Sequence, residues 1–442
     1  MLKRIKIMGY KSLKDIQVEL VPLSVLFGPN GAGKSNFLDA LQLLSKIAVS
    51  RTLKEAFDPP YRGKPLESFS FPPSGLEGLL DSESRRFSIE VDVELSPAVV
   101  EHVNRQIREM RGGMPGDGPS DTLKEKSKKI ATVRERNLRY RIEIEILPKK
   151  SGLLRVADEY LVALNTKGEP TGKRRPFLER MGDKIHLRME GQAHPTYHER
   201  YLDHSILSLP NYPPHYPHLV AMRRELESWF FFYFEPRERM RSPNPVKEVR
   251  HVGLMGEELA AFLNTLNAID PRQFKAVEKA LHTILPNVDG LEVEVNNLGE
   301  VELKVKENGI LVPARVLSEG TLRVLGLLAL SGAKDQPSLV GFEEPENGIH
   351  PRRLQLVAEL FKTRAGMGET QYIITTHSPI LPDLMPDESL FVCKKVGGET
   401  RIESFKTWGA LGRRADIDLS LMEEDENELT VSERILRGDF DA

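Results

Sequence analysis

The stretch Phe27-Gly-Pro-Asn-Gly-Ala-Gly-Lys-Ser35 constrains this chain more than any other, because Gly28, Gly33, Lys34 and Ser35 complete the pattern G-x-x-x-x-G-K-[ST]. The spacing is a chemical demand. Glycines let consecutive backbone N–H groups curl around phosphates, Lys34 reaches the outer phosphates, and the Ser35 hydroxyl is placed for Mg²⁺. Asn30, Gly31, Ala32, Gly33, Lys34 and Ser35 are therefore the candidate phosphate-binding residues. The surroundings agree: an apolar strand is expected over Leu23 to Phe27, and Phe37, Leu38, Leu41, Leu44 and Ile47 recur at helical spacing after the loop. A helix N-terminus then faces the anion, and a nucleoside triphosphate is the implied ligand.

A chain of 442 residues is long enough for one or two domains, or for one domain carrying a large insertion. Lysine and arginine number 62 against 65 aspartates and glutamates, a net charge of −3, so any nucleic-acid contact needs a local patch or a partner. Cys393 is the only cysteine, which excludes a disulfide framework and cysteine-ligated zinc and fits a reducing compartment. An alternating strand pattern (Ile5, Ile7) begins soon after Met1, and no run of about 18 apolar residues occurs. A cytoplasmic protein without signal peptide or membrane span is expected.

Residues 2–48 read as strand, turn, strand, phosphate loop and helix, and residues 310–395 as helix, buried strand, helix and buried strand. These two ends are expected to form one fold. About 280 residues separate Ser35 from Ser318, too many for a loop, so an inserted region is required. It holds period-2 strands at Phe87, Ile89, Val91, Val93 and Leu95 and at Leu138, Tyr140, Ile142, Ile144 and Ile146, with solvated polar faces expected. A hairpin is expected over Leu291 to Val305, turning at Asn296, Asn297 and Gly299. Residues 100–136 are charged and glycine-interrupted and lack sustained heptads, which argues against a long coiled-coil arm. The acidic run Glu423 to Glu428 reads as a solvated segment.

Three further motifs belong with the loop. In Ser338-Leu-Val-Gly-Phe-Glu-Glu-Pro-Glu-Asn-Gly-Ile-His-Pro351 an apolar strand ends in adjacent carboxylates. Neighbouring strand residues point in different directions, so Glu343 takes the metal side with Ser35 and Glu344 the general-base or water-positioning side. Leu317-Ser-Glu-Gly-Thr-Leu-Arg323 opens an apolar helix, and Ser318, Gly320 and free helix N–H groups make an anion site, although an ordinary helix cap gives the same pattern. Gln371-Tyr-Ile-Ile-Thr-Thr-His-Ser-Pro379 delivers Thr376, His377 and Ser378 to the C-terminal edge of a buried strand, where open α/β sheets bind ligands. His377 there can hydrogen-bond a terminal phosphate or the attacking water.

With these motifs in order, and with the opening Gly9-Tyr-Lys-Ser-Leu13, the chain resembles the RecF/SMC/Rad50-related branch of ABC-type ATPases. More narrowly it resembles the OLD-family and RecF-like AAA_21 predicted ATPases of bacteria. The resemblance covers residues 1–50 and 310–395, with a weaker likeness at Gly256-Glu-Glu-Leu-Ala260. It implies an α/β fold: an ABC-type P-loop ATPase head from 1–50 and 310–400, an inserted α+β region over 51–309, and a C-terminal segment, 401–442. It also implies ATP with Mg²⁺ sandwiched between two copies, Ser318 and Gly320 acting in trans. The metal-side acid is Glu343 rather than the commoner aspartate, which points to slow hydrolysis, and the glutamine of the usual Q-loop has no clear counterpart. The best-known OLD proteins carry a TOPRIM nuclease. Here Asp416-Ile-Asp418 lacks the preceding acidic strand, so any nuclease is expected on a separate chain.

His194, His198, His204, His215 and His218 crowd one proline-rich stretch, but Pro195 and Pro213-Pro214 oppose a helix presenting them, and packed or solvated loop histidines are expected. Lys173-Arg-Arg175 and Arg237, Arg239 and Arg241 read first as solvated faces and second as phosphate contacts. Trp229 to Phe234 reads as a core strand. The expected function is an Mg²⁺-dependent ATPase whose ATP-driven dimer, or higher homo-oligomer, gates a separate effector, a nuclease or toxin, in antiphage defence or DNA maintenance. DNA or RNA stays open as a further partner. The rivals are a nucleotide-held scaffold or sensor with little turnover and a RecF-like DNA-repair clamp.

Overall fold

The computed structural model describes residues 1–111, 132–172, 174–190, 195–330, 332, 336–407, 430–438 and 440. Most of the charged segment after residue 111, Lys173, His194, Asp416, Asp418 and the acidic run 423–428 lie outside the described residues. In chain order the strands begin with β1 (Leu2–Tyr10), β2 (Leu13–Glu19), β3 (Leu23–Phe27), β4 (Arg85–Glu94), β5 (Asn137–Leu147) and β6 (Leu153–Ala163). Then come β7 (Leu178–Met181), β8 (Lys184–Leu187), β9 (Thr196–Glu199), β10 (Trp229–Phe232), β11 (Asn244–Pro245) and β12 (Val288–Val295). The last are β13 (Glu300–Glu307), β14 (Ile310–Pro313), β15 (Leu339–Glu343), β16 (Gln371–Thr376), β17 (Leu390–Val396) and β18 (Glu399–Ser404). The helices are α1 (Lys34–Ile47), α2 (Leu53–Ala56), α3 (Gly75–Leu80), α4 (Pro97–Arg111), α5 (Pro217–Glu227) and α6 (Leu259–Ile269). They continue with α7 (Pro271–Ile284), α8 (Glu319–Leu330), α9 (Pro351–Gly366), α10 (Ile380–Asp383) and α11 (Val431–Arg437). Among the described residues no helix is long and apolar enough to cross a membrane.

The chain divides into two compact units. The first comprises Met1–Leu20, Asn36–Trp229 and Lys395–Arg401. Its frame is an eight-stranded sheet in the order β2-β1-β4-β5-β6-β7-β8-β9, and the pairs along it are antiparallel. Alternation decides which face is buried: Ile5, Ile7, Ile89, Val91, Tyr140, Ile142 and Ile144 are fully buried on one side. The opposite face departs from the solvated surface the alternation suggests. Register places Arg4, Asp92 and Arg139 in one row across β1, β4 and β5. Arg4 Nε donates to Asp92 Oδ2 at 2.7 Å and Arg139 Nε to Asp92 Oδ1 at 2.6 Å, with Asp92 only 6% exposed. Burial works to raise the Asp92 pKa, but the hydrogen bonds from Arg139 and Arg4 outweigh it and hold the carboxyl below its ordinary value.

That row makes an acid-stability prediction. A carboxyl depressed by folding adds stability that is present above its unfolded pKa, about 3.9, and lost as pH falls through the lower folded value. Asp92→Asn leaves Arg4 and Arg139 with Glu90 as their remaining carboxylate partner, which costs about 1–3 kcal/mol near pH 7. Urea midpoints of wild type and variant should therefore differ clearly at pH 7 and draw together as pH falls below the unfolded value. A gap that stays constant with pH would show that the row is not ionically held.

The second unit comprises Val21–Ser35, Phe230–Lys394 and Ile402–Ala442. Its main sheet runs β10-β15-β16-β3-β17-β18, and β15, β16, β3 and β17 are parallel. Parallel strands covered on both faces read as continuous apolar runs, and β3, β15 and β16 are buried at every position. Helix α8 is buried over Thr321 to Ala329, and Phe234 meets Phe342 edge to face at 4.9 Å in the same core. The hairpin β12–β13 turns at Asn296 to Gly299, with β14 beside it. Trp229 to Phe232 forms the edge strand β10, with Trp229, Phe231 and Phe232 buried.

Candidate functional site

The register of the parallel sheet assembles the site. Phe27 pairs with Thr376 and with Val392, and Glu343 pairs with Thr375, so β3, β15, β16 and β17 end on nearly one line. Whatever follows these strands must gather at one C-terminal edge. Gly28 leaves β3 there with φ +146°, and a Cβ on it would sit 2.0 Å from the carbonyl oxygen of Cys393 on β17, so only glycine fits. Cys393 is itself buried, which pushes its thiol up to about 12 and leaves it inert.

The loop then feeds α1, whose first residues are Lys34 and Ser35. Lys34 is 3% exposed, and its Nζ folds back over the loop to donate to the carbonyls of Gly28 (2.7 Å) and Pro29 (2.9 Å). Burial holds the Lys34 pKa below its ordinary value. The Ser35 hydroxyl donates to Glu343 Oε1 at the end of β15. These are two hard oxygen donors in contact, and Mg²⁺ takes oxygen ligands, commonly one or two protein groups beside substrate phosphates. Ser35 and Glu343 therefore fit the ion, and they are the residues that would hold it.

Glu344 adopts φ +48°, a left-handed conformation uncommon for a side-chain-bearing residue. Its N–H donates to Thr375 O at 2.9 Å, and its carboxylate faces His377 and Asn347. One oxygen lies 2.7 Å from His377 Nε2, and the other accepts from the Asn347 side chain. On its other side His377 places Nδ1 3.1 Å from Lys34 Nζ. An ammonium has only donors, so Nδ1 accepts and the ring proton sits on Nε2, facing Glu344. Burial, and then the charge of Lys34, hold the His377 pKa below its ordinary value, so the ring is neutral at pH 7. Lys34, His377 and Glu344 form one hydrogen-bonded chain.

Glu346 was not among the expected site residues. It is 7% exposed, accepts from Thr376 Oγ1 and from Ser378 N (3.3 Å), and its other oxygen is buried without a hydrogen bond. Burial raises its pKa. The sequence signal was the second acid of Glu344-Pro-Glu346, but only the fold shows that it turns inward under β16.

Ser318 and Gly320 lie beside the later residues of the same turn, Gly348 to His350. Ser318 Oγ accepts from Thr321 N at 3.0 Å, capping α8. A Cβ on Gly320 would fall 2.3 Å from Gly348 O, so glycine is required for this close approach within one chain. Both residues line a cavity with Gly348 and residues after it, and no residue of the phosphate loop lines it. The structure thus joins Lys34, Ser35, Glu343, Glu344 and His377 and leaves Ser318 and Gly320 outside that cluster.

Four residues of the basic runs are engaged internally. Arg237 pairs with Glu319 at 2.7 Å, Arg239 with Glu235 at 3.6 Å, and Arg241 donates to the carbonyls of Arg315 (2.9 Å) and Leu317 (2.8 Å) just before Ser318. Arg174 lies 3.6 Å from Glu190. Of the histidines, His218 is fully buried, bonded through Nδ1 to Glu190 at 2.7 Å, and accepts at Nε2 from the N–H of Glu135 (3.0 Å). His204 meets Asp203 at 2.7 Å, and His215 packs on Tyr212. Among the described residues no group of three or more histidine, cysteine or acidic side chains is arranged to hold a metal.

A family model described as "AAA domain, putative AbiEii toxin, Type IV TA system" matches residues 23–383. An OLD nuclease of Thermus scotoductus is 46% identical over 44 residues, which is 10% of this chain and only 8% of that nuclease. Solved structures of similar shape include an Smc head bound to the C-winged helix domain of ScpA, at 13% identity and TM-score 0.49, covering 91% of this chain and 97% of that one. Another is the Smc head with an extended coiled coil bound to the C-terminal domain of ScpA from Pyrococcus furiosus, at 11% identity and TM-score 0.46, covering 94% and 99%.

Proposed function

The chain belongs to this AAA-domain family of ATPases, and from that premise we propose that it is an Mg²⁺-dependent ATPase in which ATP draws two copies together and hydrolysis releases them. The observation that carries the reading is the single sheet edge holding Lys34, Ser35, Glu343, Glu344 and His377. Lys34 and the loop N–H groups bind the phosphates. Ser35 and Glu343 would hold Mg²⁺, which when bound would supply positive charge against the phosphate oxygens. Glu344 accepts a proton from, or aligns, the attacking water. His377, neutral and donating through Nε2, fixes the Glu344 carboxylate. Ser318 and Gly320 close over the γ-phosphate of the other copy.

Opening and closing of such a dimer gives a partner protein two surfaces to distinguish. The toxin–antitoxin link of the family and the nuclease relative support an effector of that kind, which this reading places on a separate chain, in antiphage defence or DNA maintenance within the cytoplasm. A second reading, a nucleotide-held scaffold with little turnover, draws on one observation: both oxygens of Glu344 already accept hydrogen bonds, which weakens it as a base. The test of the dimer is sedimentation at fixed protein concentration. Mg²⁺-ATP but not ADP should strengthen self-association, and Ser318→Arg should abolish the gain. An oligomer indifferent to nucleotide in both proteins would sink the trans arrangement.

A further inference from the structure

Lys34, Ser35, Glu343, Glu344 and His377 leave Glu346 without a part in the reaction. It is 7% exposed and stands two residues beyond Glu344. Its Oε1 accepts from the Thr376 hydroxyl and from Ser378 N at 3.3 Å, and Ser378 N also donates to Thr376 Oγ1 at 2.9 Å. Thr376 and Ser378 flank His377, which follows the last paired residue of β16 and so has lost the sheet ladder as a support. A second tie runs through the backbone: Glu344 N donates to Thr375 O at 2.9 Å. The turn carrying Glu344 is thus joined to residues 375–378 twice, and the 2.7 Å contact of Glu344 with His377 spans the same two segments.

Packing alone does not account for a carboxyl at this place. Glu346 Oε2 is buried with no hydrogen-bond partner among the described residues, a cost that an apolar side chain of similar size would avoid. The turn also begins at Glu344 with φ +48°, a conformation that persists only where the surroundings hold it. We infer that Glu346 is a positioning residue for ATP hydrolysis: its carboxyl ties the turn carrying Glu344 to the segment carrying His377, and so fixes the contact through which His377 orients the base. It acts through Thr376 and Ser378, not on the water. The inference rests on the ATPase reading given above and adds to it the group that keeps the base and its orienting histidine aligned.

The test uses the full chain with Glu346→Met, Glu346→Gln, Thr376→Val and the double variant of Glu346→Met with Thr376→Val. Methionine fills the space without an acceptor oxygen, glutamine keeps an acceptor for Thr376 and Ser378 N, and valine removes the donating hydroxyl. Glu346→Met should hydrolyse Mg²⁺-ATP about tenfold or more slowly, the scale of loss expected when a reacting group is misplaced. Equilibrium dialysis should find ATP bound within about twofold of wild type, because the phosphate loop is untouched, and that binding also shows that the variant is folded. Thr376→Val should be slowed less, and the double variant should be no slower than Glu346→Met, since both changes cut one tie. Glu346→Gln should recover most of the rate. A readout that needs no turnover is the His377 Nε2 proton, which NMR should find downfield, as for an imidazole bonded to a carboxylate, in wild type and Glu346→Gln and displaced upfield in Glu346→Met. Hydrolysis by Glu346→Met within about twofold of wild type, or a double variant slowed by the product of the single effects, would overturn the inference. So would Glu346→Gln as slow as Glu346→Met, which would make the acid a proton carrier instead. If the wild type releases no phosphate, the ATPase reading falls by itself. The His377 proton still decides the tie in that case: unchanged in Glu346→Met it refutes the role, and displaced it upholds it.

Discussion

Glu344→Gln should bind ATP as the wild type does and hydrolyse it about 10² to 10⁴ times more slowly, the range that a positioned general base contributes. The substitution keeps the size of the side chain and an oxygen that can accept from His377 Nε2, so the 2.7 Å contact has a replacement and the turn at φ +48° is undisturbed. What disappears is the negative charge that aligns or deprotonates water. Because Lys34, Ser35 and the loop N–H groups are untouched, the phosphates keep their ligands. Equilibrium dialysis with ATP and a steady-state phosphate-release assay separate the two effects. Hydrolysis at the wild-type rate would move the base to Glu343 or to the buried Glu346, and would favour the scaffold reading if that rate is itself slow.

Lys34→Ala should weaken ATP binding about a hundredfold, the loss expected when a charge-assisted hydrogen bond to phosphate is removed. A second consequence follows from the structure. His377 is held below its ordinary pKa by burial first and by the Lys34 ammonium second. Removing Lys34 takes away the second cause and leaves the first, so the His377 pKa must rise. In an NMR titration the His377 resonance of Lys34→Ala should move at higher pH than in wild type. An unchanged titration would mean that the 3.1 Å contact between Lys34 Nζ and His377 Nδ1 does not persist in solution.

Much of the site was legible in the sequence because its chemistry is carried by contiguous words. A strand, a glycine loop and a helix in succession have only one compact arrangement around an anion, and β3, the 28–33 loop and α1 follow it. The pair Glu343 and Glu344 was separable in advance by the alternation of a strand. The fold does so more sharply, through the left-handed turn at Glu344. For Ser318 the sequence left an anion site and an ordinary helix cap both open, and the fold shows the cap; that Gly320 permits the approach of Gly348 was hidden.

What the amino-acid order determined by itself was local: which segments are strands or helices, where the phosphate loop lies, and which acids end a buried strand. What only the tertiary structure decided was partnership. No periodicity says that β1 pairs with β4, more than 70 residues away, or that Arg4, Asp92 and Arg139 share a row. None says that Cys393 O stands where a side chain at position 28 would go, that His377 bridges Lys34 to Glu344, or that Glu346 turns inward. The physical reason is range. Helix and strand preferences act over a few neighbouring residues, whereas the register of a parallel sheet is set by burial summed over segments hundreds of residues apart.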